Sequence, residues 1–399
     1  MRPATATTAP AEHPAPIGAS TTGSPSAAPR LRALDALRLL AALTVVLMHF
    51  TTRDHGRWGS DGTAVLPHEL FPALSDVLRY GYVGMHLFFV LSGFVILMSA
   101  WGRSTGAFVA SRVSRLYPAF WVAVLITGTL RWLWPTFDAR SPAEVLANLT
   151  MLHEPFGVAH VDGVYWTLWV EMQFYLLMAV MVAIGLTRRR VLFVATALPL
   201  VGTALTLTMP GATETVTSLS WASMFGAGMV MYVIYRDGHS ARLWALAALN
   251  TAQGVLIAAV KQTSAIEAIA SGAEVSPLIL ALAVLGAVAA VATIAFVPAI
   301  RNLDWHWLTA VGTLTYPLYL THEYVGWAVI EALHPALGKW PTLIVAVATC
   351  LALAWLIHRF VEKRWHRPLR RRLEAVFSPP RPTAGSPPRQ GAESVHQPQ

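Results

Sequence analysis

Long apolar runs separated by short polar segments dominate this chain. A helix of about twenty residues spans the roughly 30 Å hydrocarbon core of a bilayer, and ten of the runs are close to that length. Each of them therefore predicts one transmembrane α-helix. The predicted spans are about 33–52, 80–100, 114–134, 164–186, 191–208, 217–235, 242–260, 277–298, 307–332 and 341–361. The pattern predicts an all-α, polytopic membrane protein.

Composition supports this prediction. Hydrophobic residues make up 55% of the 399 residues and charged residues only 13%, whereas about 25% of a soluble domain is charged. The mean hydropathy is +0.51. A chain of this length has room for two or three soluble domains, but its apolar runs are too long and too frequent for that class of protein.

The distribution of Lys and Arg predicts the orientation in the membrane. With the N-terminus inside, the inner segments hold 21 of the 29 basic residues and the outer segments hold 7, with Arg38 inside the first span. This bias obeys the positive-inside rule, so both termini are predicted to be cytoplasmic in a multi-pass protein of the cell membrane. The net charge of +8 follows from the same bias. It favours contact with anionic lipid head groups in the bilayer, and no nucleic-acid motif is present.

Two polar tails flank the predicted membrane domain, which covers residues 31–373. Residues 1–30 are rich in Ala, Thr, Pro and Ser, and residues 374–399 contain six prolines. Both compositions predict disordered cytoplasmic tails. Cys350 is the only cysteine, so an intramolecular disulfide is impossible, and we interpret this residue as part of helix packing.

The first span carries three ionisable side chains, Asp35, Arg38 and His49. A charge at membrane depth costs several kcal/mol, so such residues are rarely retained without a partner or a function. At about 100° per residue, Arg38 and His49 fall within about 20° of the same helix face, roughly 16 Å apart along the axis. Asp35 precedes Arg38 by three residues and is interpreted as its neutralising partner. The face predicts a path through the membrane rather than a simple anchor.

Five segments, in order along the chain, carry a family resemblance. They are LDALRLLAALTVVLMHF in the first span, GYVGMHLFFVLSGFVI at 81–96, SRVSRLYPAFW at 111–121, WTLWVEMQFYL at 166–176 and TYPLYLTHEY at 315–324. Together they resemble the acyltransferase-3 family of integral-membrane O-acyltransferases over about residues 31–365. Each segment alone is a weak signal, but five in the right order and at the right helices are specific.

The resemblance implies an activity and several site residues. A basic residue separated by ten positions from a His in the first helix is matched by Arg38 and His49. An R-x-x-R pair is matched by Arg112 and Arg115, and a W-[ST]-L-x-V-E glutamate by Glu171. The family transfers an acyl group, usually from acyl-CoA, to a hydroxyl of a carbohydrate or of a glycosylated small molecule.

The chain also departs from the family in two respects. Some relatives carry a fused extracytoplasmic hydrolase-like domain, and this chain resembles the stand-alone form without it. Many relatives have Asp where this chain has His86, which puts an acidic role at this position in doubt. The leading donor is acetyl-CoA or another short acyl-CoA, and no metal is expected.

The predicted topology places His49, His86 and Glu171 in the outer parts of their helices and His322 nearer the middle of the ninth. A neutral imidazole is suited to accept a hydroxyl proton, so His49 is the predicted general base, with Glu171 as the second catalytic residue. Glu171 would orient the imidazole or hold acceptor hydroxyls. His86 and His322 are the predicted substrate-binding residues, although helix-to-helix hydrogen bonding accounts for them equally well.

Donor binding is predicted at the inner surface. Arg112 and Arg115 lie at positions i and i+3 of the third helix, and with Arg38 their guanidinium groups suit the phosphates of CoA. The R-x-x-R pair is also explained by topology alone.

Direct transfer is favoured over a covalent intermediate because no Cys lies near the motifs. Ser92, the one suggestive serine, stands next to Gly93 in a segment that favours close helix contact.

Two other function classes remain open at this stage. A transporter or flippase for a sugar-containing substrate also needs polar side chains inside a helix bundle, but no inverted repeat is found. A membrane scaffold is the weaker alternative because it does not need polar residues on matching faces. Neither the acceptor, nor the acyl chain length, nor the oligomeric state follows from the sequence.

Overall fold

The computed structural model describes residues 31–59, 65–209, 218–270 and 272–377, and every regular element among them is a helix. The predicted tail at 1–30 and the part of the second tail from 378 onward lie outside the described residues. Residues 374–377 still belong to the last helix, four residues beyond the predicted boundary of the membrane domain.

Each of the ten predicted spans contains one long helix. The helices are α1 (Arg32–Thr51), α2 (Val83–Ala100), α3 (Thr105–Leu133), α4 (Tyr165–Ala183), α5 (Arg188–Thr208), α6 (Ala222–Asp237), α7 (Ala241–Ile257), α8 (Pro277–Phe296), α9 (Thr315–Leu337) and α10 (Lys339–Ile357). Both α7 and α10 continue through a π turn, the first into Thr263–Ile269 and the second into α11 (Lys363–Phe377). We call the end of the bundle where α1 begins the inner end, and the opposite end the outer end.

Eight of the described helices are long and apolar enough to cross a membrane, which confirms the all-α polytopic fold. The two long helices outside this set are α6, with only 16 residues, and α9, which carries Glu323 and Glu331. The sequence predicted both as ordinary spans. α6 is the helix most completely enclosed by protein, since its residues from Ser223 to Ile234 are all buried.

Helix α1 packs between α2 and α9, and this position decides which side chains meet its polar residues. At the inner end, Arg32 forms an ion pair with Asp304 at 2.6 Å. At the outer end, the indole N–H of Trp327 in α9 donates to the carbonyl oxygen of His49 at 3.4 Å. The outer end of α1 is therefore fixed against α9.

Helices α2 and α6 cross at two glycines. A methyl group added at Gly93 would lie 2.1 Å from the carbonyl oxygen of Phe225, and one added at Gly228 would lie 2.0 Å from that of Val90. Only a residue without a Cβ permits backbones this close. The predicted role of Gly93 in close helix contact is confirmed.

The outer loops fold back onto the bundle. Arg57, in the segment after α1, forms an ion pair with Glu331 of α9 at 3.3 Å. Arg131 of α3 donates to the carbonyl oxygen of Val161 at 2.7 Å, which holds the loop before α4 over the helix ends. That loop delivers Asp162 to the same region as His49 and Glu323.

Candidate active site

The three predicted donor-binding arginines lie together near the inner end. The guanidinium group of Arg38 is close to Arg115 and to the Glu171 carboxylate, and Arg112 is close to Arg115 and Glu171 as well. Arg38 also forms the expected ion pair with Asp35, at 3.7 Å. The side-chain Nε of Arg112 is buried and has no hydrogen-bond partner among the residues that the structure describes. The cluster therefore has an excess of positive charge and an unused N–H donor.

Glu171 belongs to this inner half of the site. Its carboxylate accepts hydrogen bonds from the hydroxyl groups of Ser92 at 2.7 Å and Tyr175 at 3.1 Å. No hydrogen bond joins Glu171 to His49 among the described residues, so the structure does not bring these two predicted catalytic residues together. Predicting an outer position from chain topology ignored the depth at which α4 packs against α2.

A polar stripe runs along α4 between the two ends of the bundle. Tyr175, Glu171 and Thr167 are spaced by four residues, which puts them on one face of the helix. The hydroxyl of Thr167 is 2.8 Å from that of Tyr319 in α9. The ring of Tyr319 lies 5.8 Å from that of His322. The stripe connects the arginine cluster to the outer histidines over about 12 Å, at 1.5 Å per helical residue.

At the outer end of the stripe, His49 meets His322. Nδ1 of His49 lies 2.8 Å from Nε2 of His322, and the two rings are nearly parallel, with centroids 5.0 Å apart. The exposed fraction of His49 is 6%, and that of His322 is zero. His322, predicted as a substrate-binding residue, is thus a hydrogen-bond partner of the predicted base.

The hydrogen bonds of His322 indicate which ring nitrogen carries the hydrogen in each of the two histidines. Its Nδ1 lies 2.9 Å from the carbonyl oxygen of Tyr319 and 3.2 Å from that of Leu318. Carbonyl oxygens only accept, so in the neutral ring the hydrogen is on Nδ1 and the lone pair is on Nε2. His49 must then donate through its own Nδ1–H. Its Nε2 keeps a lone pair and has no hydrogen-bond partner among the described residues, as a general base requires.

Three ionisable residues beside the histidine pair were not singled out from the sequence. Arg53 forms an ion pair with Glu323 at 3.3 Å, and the carboxyl group of Asp162 lies next to that of Glu323. Glu323 is 1% exposed and Asp162 is completely buried. The sequence alone could have identified Glu323 as a candidate site residue, because it is an acidic residue inside a predicted transmembrane helix, directly after His322. Arg53 was counted only as an outer-loop cation.

Loop residues near the pair have shifted pKa values. Burial, together with the negative charge of Glu323, raises the pKa of Asp162 well above its usual range. Of the two adjacent carboxyl groups, Asp162 therefore holds a proton more strongly, and Glu323 is the one that pairs with Arg53 at 3.3 Å. Burial lowers the pKa of His55 to about 3, so this ring is neutral, and it stacks on Trp327 at 5.2 Å.

His86 lies in a different part of the bundle. Its ring packs edge-on against Trp221 at 5.0 Å and near Tyr82 at 6.4 Å. It is 1% exposed, and neither ring nitrogen makes a well-formed hydrogen bond within the part of the chain that the structure describes. The structure does not bring His86 to His49, and its predicted role in substrate binding stays a prediction. Across the described residues, no group of three or more His, Cys, Asp or Glu side chains is arranged to hold a metal ion.

Comparisons with known proteins identify the family. The family model of the acyltransferase domain, acyltransferase-3, matches residues 31–359. The chain is 30% identical over 155 residues to acyltransferase MdmB of Streptomyces mycarofaciens, an alignment covering 37% of this chain and 38% of that protein. It is 29% identical over 171 residues to nodulation protein 10 of Rhizobium leguminosarum bv. viciae, covering 38% of this chain and 44% of that protein.

The aligned regions span less than half of either relative, and no solved structure gives a significant match. The family model, by contrast, covers all five motifs and every polar side chain of the stripe from Arg38 to Glu323. An acyltransferase needs an acyl donor, an acceptor and a base. Because the family model covers most of the chain, the chain belongs to the acyltransferase-3 family of membrane proteins.

Proposed function

We propose that this protein transfers a short acyl group, with acetyl the leading candidate, from acyl-CoA to a hydroxyl of a carbohydrate or of a glycosylated small molecule. The single observation that carries the proposal is the polar stripe with the arginine cluster at one end and an imidazole lone pair at the other. A phosphorylated donor suits the first end, and proton transfer suits the second.

Donor binding is assigned to Arg38, Arg112 and Arg115. Guanidinium groups bind phosphate oxygens through paired, charge-assisted hydrogen bonds. The excess positive charge of the cluster and the unpartnered Nε of Arg112 support this assignment. A thioester arm lying along the α4 stripe would bring the acyl carbon towards the outer histidines while the phosphates stay at the inner end.

Acyl transfer is assigned to His49. The acceptor oxygen attacks the thioester carbonyl carbon while Nε2 of His49 takes the hydroxyl proton. Collapse of the tetrahedral intermediate breaks the carbon–sulfur bond, and the proton passes from His49 to the departing thiolate. His322 supports this cycle by accepting from Nδ1–H of His49, which holds the ring in the tautomer that a base needs.

Direct transfer is favoured over an acyl-enzyme. Ser92, the one serine that sequence analysis singled out as a nucleophile, donates its hydroxyl hydrogen to Glu171 at 2.7 Å. Cys350 is buried in α10, where its thiol donates to the carbonyl oxygen of His322 at 3.7 Å within a hydrophobic cluster. Within the proposal, Glu171 is therefore a residue of the donor path that orders Ser92 and Tyr175, and its predicted contact with the base is dropped.

The test is release of free CoA thiol by purified protein, assayed with acetyl-CoA and a panel of sugars and glycosides. We expect acceptor-dependent turnover in the wild type and a loss of at least about a hundredfold in His49→Ala, the size typical of a missing general base. The matched control is His68→Ala in the outer loop. Equal turnover in wild type and His49→Ala would refute the mechanism. Sugar binding without thiol release from any short acyl donor would favour the transporter alternative.

A further inference from the structure

A second bridge between α1 and α9 runs alongside the histidine pair. Arg53 follows His49 by four residues, just beyond the end of α1 at Thr51, and Glu323 directly follows His322. The guanidinium group of Arg53 reaches Oε1 of Glu323 at 3.3 Å, while His49 and His322 are joined at 2.8 Å. The same two chain segments are therefore linked twice, once by imidazoles and once by opposite charges.

Glu323 is held tightly enough to act as a fixed anchor. A methyl group added at Gly163 would lie 2.7 Å from Oε1 and 2.9 Å from Oε2 of Glu323, so the backbone of the loop before α4 closes directly over the carboxylate. Asp162 lies on the same side, and its own oxygen accepts from the backbone N–H of Val164 at 3.3 Å.

We propose that Arg53 and Glu323 are positioning residues that hold His49 against His322 and set the pH at which His49 loses its proton. This rests on the proposed role of His49 as the base. The pair does not touch the reacting atoms. It ties the segment after α1 to α9, and it puts the Arg53 guanidinium group close enough to act electrostatically on both imidazoles.

The two charges act on His49 in opposite directions. A nearby cation disfavours the imidazolium form and a nearby anion favours it. The groups that act on the histidine pair directly are Arg53 and neutral His55 after α1, together with the backbone carbonyl oxygens of Leu318 and Tyr319 on α9. Tyr82, Asp162 and Glu323 surround the neighbouring ring of Tyr319. Arg53 is therefore the charged group nearest to the imidazoles, and Glu323 acts on them by offsetting the charge of Arg53, its ion-pair partner.

The test compares Arg53→Gln, Glu323→Gln and the double variant by their pH–rate profiles. The acidic limb of such a profile is the range in which the rate falls because His49 gains a proton. Arg53→Gln removes the cation, so this limb should move to higher pH by about one unit. Glu323→Gln leaves Arg53 uncompensated, so the limb should move to lower pH. The double variant is neutral at both positions and should return close to the wild-type profile. For both single variants, kcat should fall about tenfold or more while the donor KM stays unchanged.

The chain supplies a matched control. Arg57 and Glu331 form an ion pair between the same two segments, also at 3.3 Å, but eight residues further along α9. Arg57→Gln and Glu331→Gln should leave the acidic limb and kcat at their wild-type values. Arg53→Lys keeps the charge and should keep the wild-type limb, which gives a second measurement if Glu323→Gln does not fold.

Two results would indicate a purely structural role and overturn the proposal. In the first, the acidic limb stays in place in Arg53→Gln and Glu323→Gln. In the second, it moves in the same direction in both variants. Unchanged kcat in both would overturn it as well. Titration of the His49 ring, followed by NMR of protein carrying ¹⁵N-histidine and assigned with His49→Gln, reports the same opposite shifts without turnover. This measurement separates failure of the positioning role from failure of the proposed acyl transfer.

Discussion

At the scale of single residues, the decisive feature is the order of hydrogen bonds through the two outer histidines. Backbone carbonyl oxygens fix the hydrogen on Nδ1 of His322, and this leaves His49 only one way to bond to it. Two neutral rings thus reproduce the arrangement that a carboxylate gives to a histidine in other acyl-transfer enzymes. His322 does not need to contact substrate to influence the rate.

His322→Ala removes the acceptor for Nδ1–H of His49. The His49 ring then loses its fixed tautomer and orientation, so kcat should fall by at least about tenfold, with the donor KM unchanged. Steady-state kinetics with acetyl-CoA measures this. In the double variant His49→Ala/His322→Ala, the loss should be no larger than in His49→Ala alone, because both residues serve one proton transfer. Additive losses would show that His322 acts independently of His49.

At the scale of helices, the chain pattern identified all ten long elements, and the motif spacing identified most polar residues of the site. The predicted outer position of Glu171 was wrong because the depth and rotation of α4 depend on its packing against α2 and α9. The sequence of one helix alone does not determine that packing. The partnership of His49 with His322 joins residues 273 positions apart, so it too follows from packing. Arg53 and Asp162 lie in loops, whose paths hydrophobic periodicity does not predict.

The crossing of α2 and α6 gives a stability prediction at this scale. Gly93→Ala puts a methyl group 2.1 Å from the carbonyl oxygen of Phe225, so the two helices must separate. Such overpacking typically costs about 1–3 kcal/mol. Thermal unfolding of the purified protein should show a clearly lower midpoint. Gly286→Ala, where an added methyl group meets no atom within 4 Å, is the control and should leave the midpoint unchanged.

The loop before α4 gives a pH prediction. Nε2 of His153 lies 2.7 Å from Nδ1 of His160, and burial, with His160 beside it, lowers the pKa of His153 to about 4. An unfolded histidine titrates near 6.5. The loop stability that depends on neutral His153 is thus complete above that pH and is lost as the pH falls towards 4.

Amide hydrogen exchange of residues 149–163 should therefore accelerate between pH 7 and pH 5, after correction for the intrinsic effect of pH. His153→Gln should remove this acceleration. The neighbouring helix Pro142–Asn148 is the internal control. Its capping box lowers the pKa of Glu144, so that helix should lose protection only at more acidic pH. Equal acceleration in His153→Gln would mean that another group controls the loop.

At the scale of the whole molecule, binding and chemistry are assigned to opposite ends of one polar stripe. The inner end has three arginines around Glu171, and the outer end has two neutral histidines beside a charged pair. Between them stand Thr167 and Tyr319, joined at 2.8 Å. A division of this kind predicts that substitutions at the two ends change different kinetic constants, and that the acyl donor acts from one side of the membrane.

Arg112→Gln should raise the KM for acetyl-CoA by about tenfold or more, since a hydrogen bond to a charged group contributes about 1.5–3 kcal/mol, and should leave kcat within about twofold. The matched control is Arg188→Gln, because Arg188 is paired with Asp237 at 3.7 Å away from the cluster. With an acyl-pantetheine donor that lacks the nucleotide phosphates, Arg112→Gln and wild type should have similar KM values.

In proteoliposomes of known orientation, the donor should act only from the side carrying the N-terminus. Turnover with donor supplied at the opposite side alone, or a fall in kcat without a change in KM for Arg112→Gln, would contradict the assignment of the inner cluster to donor phosphates.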